Sequence, residues 1–455
     1  MSCSTLPMEL GDLAQAAAAY EEGYAQRLAT FEYSLRVPPA FCNYLVFAGL
    51  EPLLQSLQQF RFPSELLDYL KQHPAFAGIS FRWFDHLADL KFQGDVWALL
   101  EGSVFFAPAP ILRITAPLEW GLLLATAVPA FLSLPTRVAT RVARFVTACE
   151  GRPLIEQTLR QAHTQEEANN ITRAAYLAGI TSTTNLAAAE RWKLPATSYM
   201  TDTWTMLLPD EVEAFHRYGS HFPTTCIAVI DTVDPLTGLM HAIASGAPLQ
   251  AIRLENGDLL SLSIQARKLL DDNGRRHVKL LASGDLNEEQ IAKLIQQRAP
   301  VDGYIAGRGI TTWEENPWED VYKLVAVQEK PGIWEPACKL TTGKLSYPWP
   351  KQVYRLASDD GTFAQDVIAW EREVLVGEKL LQQVMHQGKR AAPLPTLENI
   401  RDFSLMQRIR LPAELLHWSP VRQKYPIRYS ATLEQEMAKL KQLRTRHLQP
   451  GFHRV

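Results

Sequence analysis

Four short loops carry most of the side chains that could do chemistry in this 455-residue sequence, and they recur at regular intervals. The loops are marked by Asp231, Arg253, Ser283 and Gly307, which are 22, 30 and 24 residues apart. A short apolar segment precedes each loop, and a helical pattern follows at least two of them. Such an interval is the length of one strand–helix unit. We therefore predict a parallel sheet whose carboxyl-end loops lie together, as at the mouth of an α/β barrel.

The loops combine arginines, carboxylates and glycines in a way that suits a phosphate-bearing ligand. Guanidinium groups bind phosphate oxygens in a fork, and glycines beside helix starts offer backbone N–H groups at the positive end of a helix dipole. Carboxylates among them could hold ribose hydroxyls or a magnesium ion. Each residue alone is more often an ordinary polar loop residue, so the prediction depends on the grouping. The grouped residues are Arg141, Arg160, Asn185, Asp231, Arg253, Glu255, Asp258, Ser283, Asp285 and Arg308.

Two helices are predicted directly after these loops. Over residues 259–270, apolar residues recur on one helical face. Farther along the chain, Asp285 and Glu288 have the spacing of a capping box, which predicts a helix over Leu286–Gln297. Both helices would begin beside a glycine-containing loop, as an anion site requires.

Two other segments are also predicted to be helical. Thr136–Ala148 is predicted to be helical and carries Arg137, Arg141 and Arg144 on one side. The sequence leaves open whether these arginines form a solvated basic stripe or face a ligand. The pattern of Ala364–Gln383 predicts a long amphipathic helix.

Length and composition indicate a soluble globular protein of two or three domains. A formal charge of −3 gives no reason to expect nucleic acid or an anionic membrane as partner. The N-terminus has no signal-peptide pattern, and the most apolar run, Gly121–Pro135, is shorter than a membrane span and is predicted to be a buried helix. Scattered cysteines indicate a reducing cytoplasm without zinc or disulfide sites. They are Cys3, Cys42, Cys149, Cys226 and Cys338.

Collinear blocks over nearly the full chain resemble bacterial nicotinate phosphoribosyltransferases. The blocks include VFAGLE at Val46–Glu51, GRPLIEQTLRQA at Gly151–Ala162, RAAYLAG at Arg173–Gly179, DTVD at Asp231–Asp234, RLENGDL at Arg253–Leu259, ASGDLNEEQI at Ala282–Ile291 and GKLSYPWPKQVYRL at Gly343–Leu356.

The resemblance implies a type II phosphoribosyltransferase fold, an irregular, TIM-like α/β barrel packed on an α/β sandwich. The expected division is 1–134 for the N-terminal sandwich, 135–345 for the barrel and 346–455 for a C-terminal segment that completes the sandwich. Members are usually dimers with the active site near the subunit interface. They join nicotinate to phosphoribosyl pyrophosphate in NAD salvage, forming nicotinate mononucleotide and pyrophosphate, with ATP hydrolysis coupled through a phosphorylated histidine.

The resemblance also assigns roles to residues. Arg160 and Arg141 match residues that face nicotinate and the phosphates, and Arg253 and Asp258 match the ribose and pyrophosphate loop. The predicted catalytic residues are Asp202, Arg253 and Asp258. The predicted substrate-binding residues are Arg141, Arg160, Thr184, Asn185, Asp231, Glu255, Asn256, Gly257, Ser283, Gly284, Asp285, Gly307, Arg308 and Gly309. No metal site made by the protein alone is predicted, and magnesium is expected to accompany phosphoribosyl pyrophosphate.

The sequence departs from the family pattern at the predicted active site. Asp202 occupies the position of the phosphorylatable histidine, which places ATP coupling in doubt. Ala14 stands where the family has a tyrosine that reaches the nicotinate, and Arg160-Gln161 replaces a double arginine. The blocks that build the core match better than those that contact ligand.

Three hypotheses follow from these departures. The first is a divergent cytoplasmic nicotinate phosphoribosyltransferase, a small-molecule enzyme uncoupled from ATP. The second is a phosphoribosyltransferase for another base or a changed phosphate ligand, with Glu255, Asn256 and Arg308 reshaping the pocket. The third is a non-catalytic paralogue that keeps the fold to bind a nucleotide or a partner subunit.

Overall fold

The computed structural model describes residues 6–40, 42–311, 318–393 and 395–447. The helices are α1 Leu10–Glu21, α2 Leu50–Gln59, α3 Ser64–Gln72, α4 Phe81–Asp89, α5 Leu118–Ala148, α6 Gln165–Ala178, α7 Leu186–Trp192, α8 Asp202–Leu207, α9 Glu211–His221, α10 Pro235–Ala244, α11 Leu259–Asp272, α12 Glu288–Gln296, α13 Arg308–Thr311, α14 Leu397–Ile409 and α15 Ala431–His447. The strands are β1 Leu28–Leu35, β2 Leu45–Val46, β3 Asp95–Ala98, β4 Val104–Phe105, β5 Pro110–Pro117, β6 Leu154–Glu156, β7 Ser182–Thr183, β8 Ile227–Val229, β9 Ala251–Leu254, β10 Lys279–Ala282, β11 Gly303–Ala306, β12 Asp320–Lys330, β13 Ile333–Pro336, β14 Lys351–Ala357, β15 Phe363–Trp370, β16 Glu378–Lys379, β17 Gln382–His386, β18 Lys389–Arg390 and β19 Ile427–Tyr429.

A parallel sheet positions the predicted loops. Its six strands run in the order β7-β6-β11-β10-β9-β8, and every neighbouring pair is parallel. The sheet is curled into half a barrel, and short strands such as Ala251–Leu254 are wholly buried in it. The predicted α/β barrel class is confirmed. All six carboxyl ends therefore lie at one edge of the sheet.

An antiparallel sheet forms the other layer and draws its strands from three parts of the chain. Its order is β13-β12-β1-β5-β3-β17-β18. The late strand β17 pairs with β3, so residues beyond 380 lie beside residues 95–98. A four-stranded sheet, β16-β14-β15-β19, packs next to it.

The helix predicted over Ala364–Gln383 is wrong. This segment forms most of β15, all of β16 and the start of β17. In β15 the residues Val367, Ile368 and Ala369 are consecutive and buried, so both faces of the strand are covered, and β14 and β19 flank its two edges. Pairing with distant strands outweighed the local helical pattern.

One helix joins the two layers. The sequence predicted separate helices before and after Pro135, but α5 is a single helix of 31 residues with Pro129 and Pro135 inside it. It packs against α1, β1 and β5 on the sandwich side and against α6 and α12 on the barrel side. Within the described residues, α5 is the one helix long and apolar enough to cross a bilayer, and half of its most apolar window is buried in the protein. The prediction that the run Gly121–Pro135 lies in the core is confirmed.

A buried ion network ties the barrel to the sandwich. The Arg173 guanidinium of α6 lies 2.6 Å from Glu101 Oε1 and 2.8 Å from Glu51 Oε2. The Gly49 backbone N–H also donates to Glu101 Oε1, at 2.6 Å. Burial alone would raise the pKa of the Glu101 carboxyl, but Arg173 and the backbone donors hold that pKa below its ordinary value. The network fixes the start of α2 against α6.

Candidate active site

The carboxyl ends of the six parallel strands lie along one edge of the sheet, and we call the loops at this edge the mouth. It consists of residues 157–160, 184–185, 230–234, 255–258, 283–287 and 307–308, which follow β6, β7, β8, β9, β10 and β11. These are the loops that the sequence predicted to meet, so the structure brings together most of the predicted site residues.

Arg253 is the most enclosed cation at the mouth. It lies near the end of β9 and is 9% exposed. Its Nη2 lies 2.6 Å from Glu255 Oε1, and its guanidinium carbon lies 4.7 Å from the centre of the Tyr199 ring. Within the described part of the chain, no acceptor meets its buried Nε. A buried donor without an acceptor costs about 1–3 kcal/mol, so this group favours an oxyanion ligand.

Two further contacts join the loops after β8 and β9 to α8. Asn256 donates its amide to Asp231 Oδ2 at 2.8 Å. Thr232 donates its hydroxyl to Asp202 Oδ1 at 3.2 Å. Asp202 is exposed at the first position of α8, so its carboxylate faces solvent at the mouth.

The loop after β10 packs closely against the loop after β9. Gly284 has a φ of +91°, and a Cβ built on it would lie 2.3 Å from the Glu255 carbonyl oxygen. The backbone N–H of the neighbouring Ser283, which is 3% exposed, donates to the Leu254 carbonyl at 2.8 Å. By contrast, Gly257 has a φ of +81° and open space around its Cβ position.

The loop after β11 brings another arginine, Arg308, to the mouth. Gly307 lies against the Gln157 carbonyl, and Gly309 lies in α13 against the Leu286 carbonyl. Arg308 is exposed, and its Nη1 donates to Asp285 Oδ2 at 2.9 Å. An exposed pair of this kind contributes little to stability, so Arg308 can readily turn to a ligand.

The prediction of free N–H groups at the helix starts is wrong for α11 and α12. Asp258 accepts hydrogen bonds from the Leu260 and Ser261 N–H groups and so caps α11. The capping box of α12 is formed by Asn287 and Gln290 rather than by Asp285 and Glu288.

The helix α12 begins later than predicted because of Leu286, which lies between the predicted cap Asp285 and the observed cap Asn287. Leu286 is 2% exposed, and packing of its side chain delays the start of the helix. Asp285 remains in a left-handed turn, with a φ of +49°. Its carboxylate is therefore available to Arg308 instead of to the helix.

Two predicted ligand-binding residues are buried, Arg141 in α5 and Asn185 in the loop after β7. Arg141 is 5% exposed, and its Nε lies 3.0 Å from Glu288 Oε1, with Arg144 Nη1 3.3 Å from the same oxygen. The alternative of a solvated stripe is therefore wrong for Arg141 and Arg144. Asn185 is 1% exposed and caps α7 while donating to Asn169 and Thr172.

The remaining predicted residues lie closer to the surface. Arg160 is exposed in the turn after β6. Thr184 is partly exposed, and its N–H donates to the Glu156 carbonyl at 3.0 Å.

Sequence reasoning missed three residues of the site. Glu156 ends β6, is fully buried, and accepts hydrogen bonds from the hydroxyls of Thr158, Thr172 and Thr183. Gln157 follows it and donates its amide to the hydroxyl of Tyr199. The signal for β6 was short, only three strand residues, and Tyr199 lies in a loop whose path no local pattern specifies.

Tyr199 lies among the charged groups of the mouth. Burial raises the pKa of its hydroxyl, whereas the charges of Arg253 and Arg160 act in the opposite direction. Its ring is half-buried. Tyr199 thus connects the loop after β6 with the loop after β9.

The donor set at the mouth fits a metal ion that arrives with a phosphate ligand. Among the described residues, no group of three or more His, Cys, Asp or Glu side chains could hold a metal ion alone. Magnesium typically needs only one or two carboxylates when phosphates supply the other oxygens. Asp231 and Asp202, linked through the loop that carries Thr232, are carboxylates of the required kind.

A basic cavity of about 320 Å³ lies on the sandwich, with a lining that shares no residue with the mouth. Burial, together with the charges of Lys339, Arg36 and Lys344, lowers the pKa of the Lys323 ammonium. Arg36, Lys323 and Lys351 line the cavity, and the Lys351 ammonium pairs with the lining carboxylate of Glu32 at 2.8 Å. Among the described residues, no carboxylate forms an ion pair with Arg36 or Lys323. The cavity therefore also suits an anionic group.

Comparisons with known proteins agree with this architecture. The profile described as the nicotinate phosphoribosyltransferase (NAPRTase) N-terminal domain matches residues 8–133. The chain is 34% identical over 443 residues to a nicotinate phosphoribosyltransferase of Mycobacterium tuberculosis, covering 95% of this chain and 94% of the relative. It is 31% identical over 389 residues to the nicotinate phosphoribosyltransferase of Bacillus subtilis, covering 83% of this chain and 78% of the relative.

Solved structures show the same fold. The human nicotinic acid phosphoribosyltransferase superposes with a TM-score of 0.82 at 22% identity, covering 96% of this chain and 100% of that one. The nicotinate-nucleotide pyrophosphorylase of Pyrococcus furiosus superposes with a TM-score of 0.71 at 22% identity, covering 89% and 94%. At these identities the likeness establishes architecture alone.

Proposed function

The chain belongs to the nicotinate phosphoribosyltransferase family, and on that premise we propose that it joins nicotinate to phosphoribosyl pyrophosphate. The products are nicotinate mononucleotide and pyrophosphate, a step of NAD salvage. The observation that carries the proposal is the buried Arg253 guanidinium at the mouth, with an Nε that lacks an acceptor among the described residues. Such a group suits the oxyanion that both substrates carry.

The proposed chemistry depends on position and charge. As the ribosyl carbon loses pyrophosphate, positive charge develops on the sugar and negative charge on the leaving group. Arg253 and Arg308 would stabilise the departing phosphates, and Arg160 would meet the nicotinate carboxylate. The loop that carries Ser283 and Gly284 would hold the 5′-phosphate. Holding both reactants at the mouth would supply much of the rate enhancement.

Magnesium is proposed to enter with phosphoribosyl pyrophosphate. Asp231 and Asp202 would hold it, because their carboxylates lie at the exposed edge of the site. The ion would neutralise phosphate charge. We propose that turnover does not require ATP, since Asp202 stands where the family has its phosphorylatable histidine.

We also propose a cytoplasmic homodimer whose interface borders the mouth. Large apolar side chains are strongly exposed in or beside the mouth loops, and such a cluster commonly marks an interface. They are Leu186 at 76%, Met206 at 75%, Leu207 at 71% and Val233 at 81% exposed.

The division of the chain into segments 1–134, 135–345 and 346–455 is likewise proposed. The pairing of β17 with β3 supports it by joining the first and last segments. The end of the middle segment also contributes to the sandwich, because β12 pairs with β1 and β13 pairs with β12 in the same sheet.

Two alternatives remain as outcomes of the test. A different planar base would be favoured by the altered residues Glu255 and Asn256. A non-catalytic paralogue would keep the fold to bind a nucleotide or a partner subunit, but neither substrate would stabilise it.

The test measures ligand-induced stabilisation and product formation on the same protein. Magnesium and phosphoribosyl pyrophosphate at 100 times the dissociation constant should add about 2.7 kcal/mol to the free energy of unfolding. Incubation with nicotinate should then yield nicotinate mononucleotide at equal rates with and without ATP. Stabilisation without product would support another base. No stabilisation by either substrate would reject the enzyme.

A further inference from the structure

Tyr199 occupies a position at the mouth that none of the predicted roles explains. Its side chain touches two loops that are about a hundred residues apart in sequence, through Gln157 on one side and Arg253 on the other. A residue with two such contacts fixes the relative position of the groups that it touches.

The contact with Arg253 involves the ring. The guanidinium carbon lies 4.7 Å from the ring centre, within the range of a cation–π interaction. Because Arg253 is nearly buried, this contact is less screened by solvent than a surface pair. Glu255 holds one end of the same guanidinium at 2.6 Å. The Tyr199 ring and the Glu255 carboxylate thus hold the guanidinium, while Arg253 Nε is a buried donor without an acceptor among the described residues.

The contact with Gln157 involves the hydroxyl. The Gln157 amide donates to the Tyr199 oxygen, so the ring cannot rotate freely away from the guanidinium. Gln157 itself directly follows β6, whose last residue Glu156 is fully buried and fixed by threonine hydroxyls. The anchor of the ring is therefore rigid.

We propose that Tyr199 is a positioning residue that holds the Arg253 guanidinium in the orientation that receives a substrate oxyanion. This inference rests on the proposed function, because the oxyanion is the nicotinate carboxylate or a phosphate of phosphoribosyl pyrophosphate. The ring supplies the holding contact, and Gln157 fixes the ring. Without the ring, the long Arg253 side chain gains rotamers, and binding of the oxyanion carries the entropic cost of ordering it.

The experiment uses three variants of the full chain and one control. Tyr199→Met replaces the ring by a smaller flexible apolar side chain, Tyr199→Phe keeps the ring and removes the hydroxyl, and Gln157→Leu removes the anchor. The control is Trp192→Leu at the end of α7, because Arg191 also lies 4.7 Å from the Trp192 ring but outside the mouth. Binding of nicotinate and of phosphoribosyl pyrophosphate with magnesium is titrated separately by calorimetry. Melting temperatures are recorded without ligand.

The expected result is a graded loss of binding affinity for one of the two ligands. Tyr199→Met weakens its binding about tenfold, Tyr199→Phe and Gln157→Leu each about threefold, and Trp192→Leu leaves it unchanged. The ligand that loses affinity identifies which oxyanion Arg253 receives. A Tyr199→Met variant that binds both ligands within twofold of wild type overturns the proposal, as does one no weaker than Tyr199→Phe.

Two further outcomes keep the test decisive. If Tyr199→Met does not fold, the double variant Tyr199→Phe with Gln157→Leu is measured instead. It must bind as weakly as each single variant, because each substitution removes the same hydrogen bond between Gln157 and Tyr199. Additive losses overturn the proposal. If wild type binds ligand and Tyr199→Met weakens it but no product forms, only the proposed function fails. If wild type makes product and Tyr199→Met binds normally, only the role of Tyr199 fails.

Discussion

Two glycines of the mouth share a backbone conformation but differ in their surroundings, and this difference allows a paired test. Gly284 and Gly257 have φ angles of +91° and +81°. A Cβ on Gly284 would meet the Glu255 carbonyl at 2.3 Å, whereas a Cβ on Gly257 would meet nothing within 4 Å. Alanine at either position adds about 1 kcal/mol of backbone strain.

Gly284→Ala is therefore expected to abolish binding of phosphoribosyl pyrophosphate, because the loop after β9 must move and displace Glu255 from Arg253. Gly257→Ala is the control and is expected to keep binding within about threefold. Calorimetric titration with magnesium present measures both. Equal losses in the two variants would show that strain, rather than the packing of the two loops, controls the site.

At this scale the sequence identified most of the polar groups of the mouth but not their contacts. Regular spacing predicted that Asp231 and Arg253 meet, and the structure places them on adjacent parallel strands and loops. Arg141 was predicted to face ligand, but it lies in a buried pair with Glu288, which a helical repeat alone could not reveal. Tyr199 was missed because its position depends on the path of an irregular loop. The assigned ligand roles stay predictions.

At the scale of elements, the ion network between α2 and α6 has a defined pH dependence. The pKa of Glu101 is lower in the folded protein than its ordinary value, because Arg173 and backbone donors stabilise the carboxylate against the cost of burial. The network therefore contributes stability above the ordinary carboxyl pKa. That contribution is lost as the pH falls through the folded value.

Glu101→Gln is expected to destabilise the protein by about 3 kcal/mol at pH 7, since it leaves Arg173 with an incomplete buried pair. The difference in melting temperature between wild type and variant should shrink below about pH 4. Glu166→Gln is the control, because its pair with Arg191 is exposed at 3.1 Å. A Glu101→Gln variant as stable as wild type at pH 7 would contradict the role assigned to this junction.

The elements themselves were predictable where local pattern and tertiary context agree. The apolar leads of β9, β10 and β11 were predicted, because each is short, buried and followed by a turn. Ala364–Gln383 was mistaken for a helix, because its strands are specified by pairing with β14 and β19 rather than by local pattern. The sequence predicted separate helices on the two sides of Pro135, but α5 is continuous. Packing of that helix on both layers outweighs the lost N–H donors.

For the whole molecule, the exposed apolar residues around the mouth predict a dimer. Val233 is 81% and Met206 75% exposed, and both lie next to polar residues of the site. In a two-fold symmetric dimer each substitution occurs on both sides of the interface. A carboxylate there would be desolvated without a partner, so the double variant Met206→Glu with Val233→Asp should dissociate the dimer.

Size-exclusion chromatography with light scattering measures this directly. Wild type should have twice the 51.2 kDa mass of the chain, and the double variant should have the mass of one chain. Val374→Asp is the matched control, because Val374 is 85% exposed in the loop between β15 and β16, a different part of the chain. A monomeric wild type would reject the dimer. A dimer dissociated by Val374→Asp but retained by the double variant would place the interface away from the mouth, and the site would then have to bind its substrates with the residues of one chain.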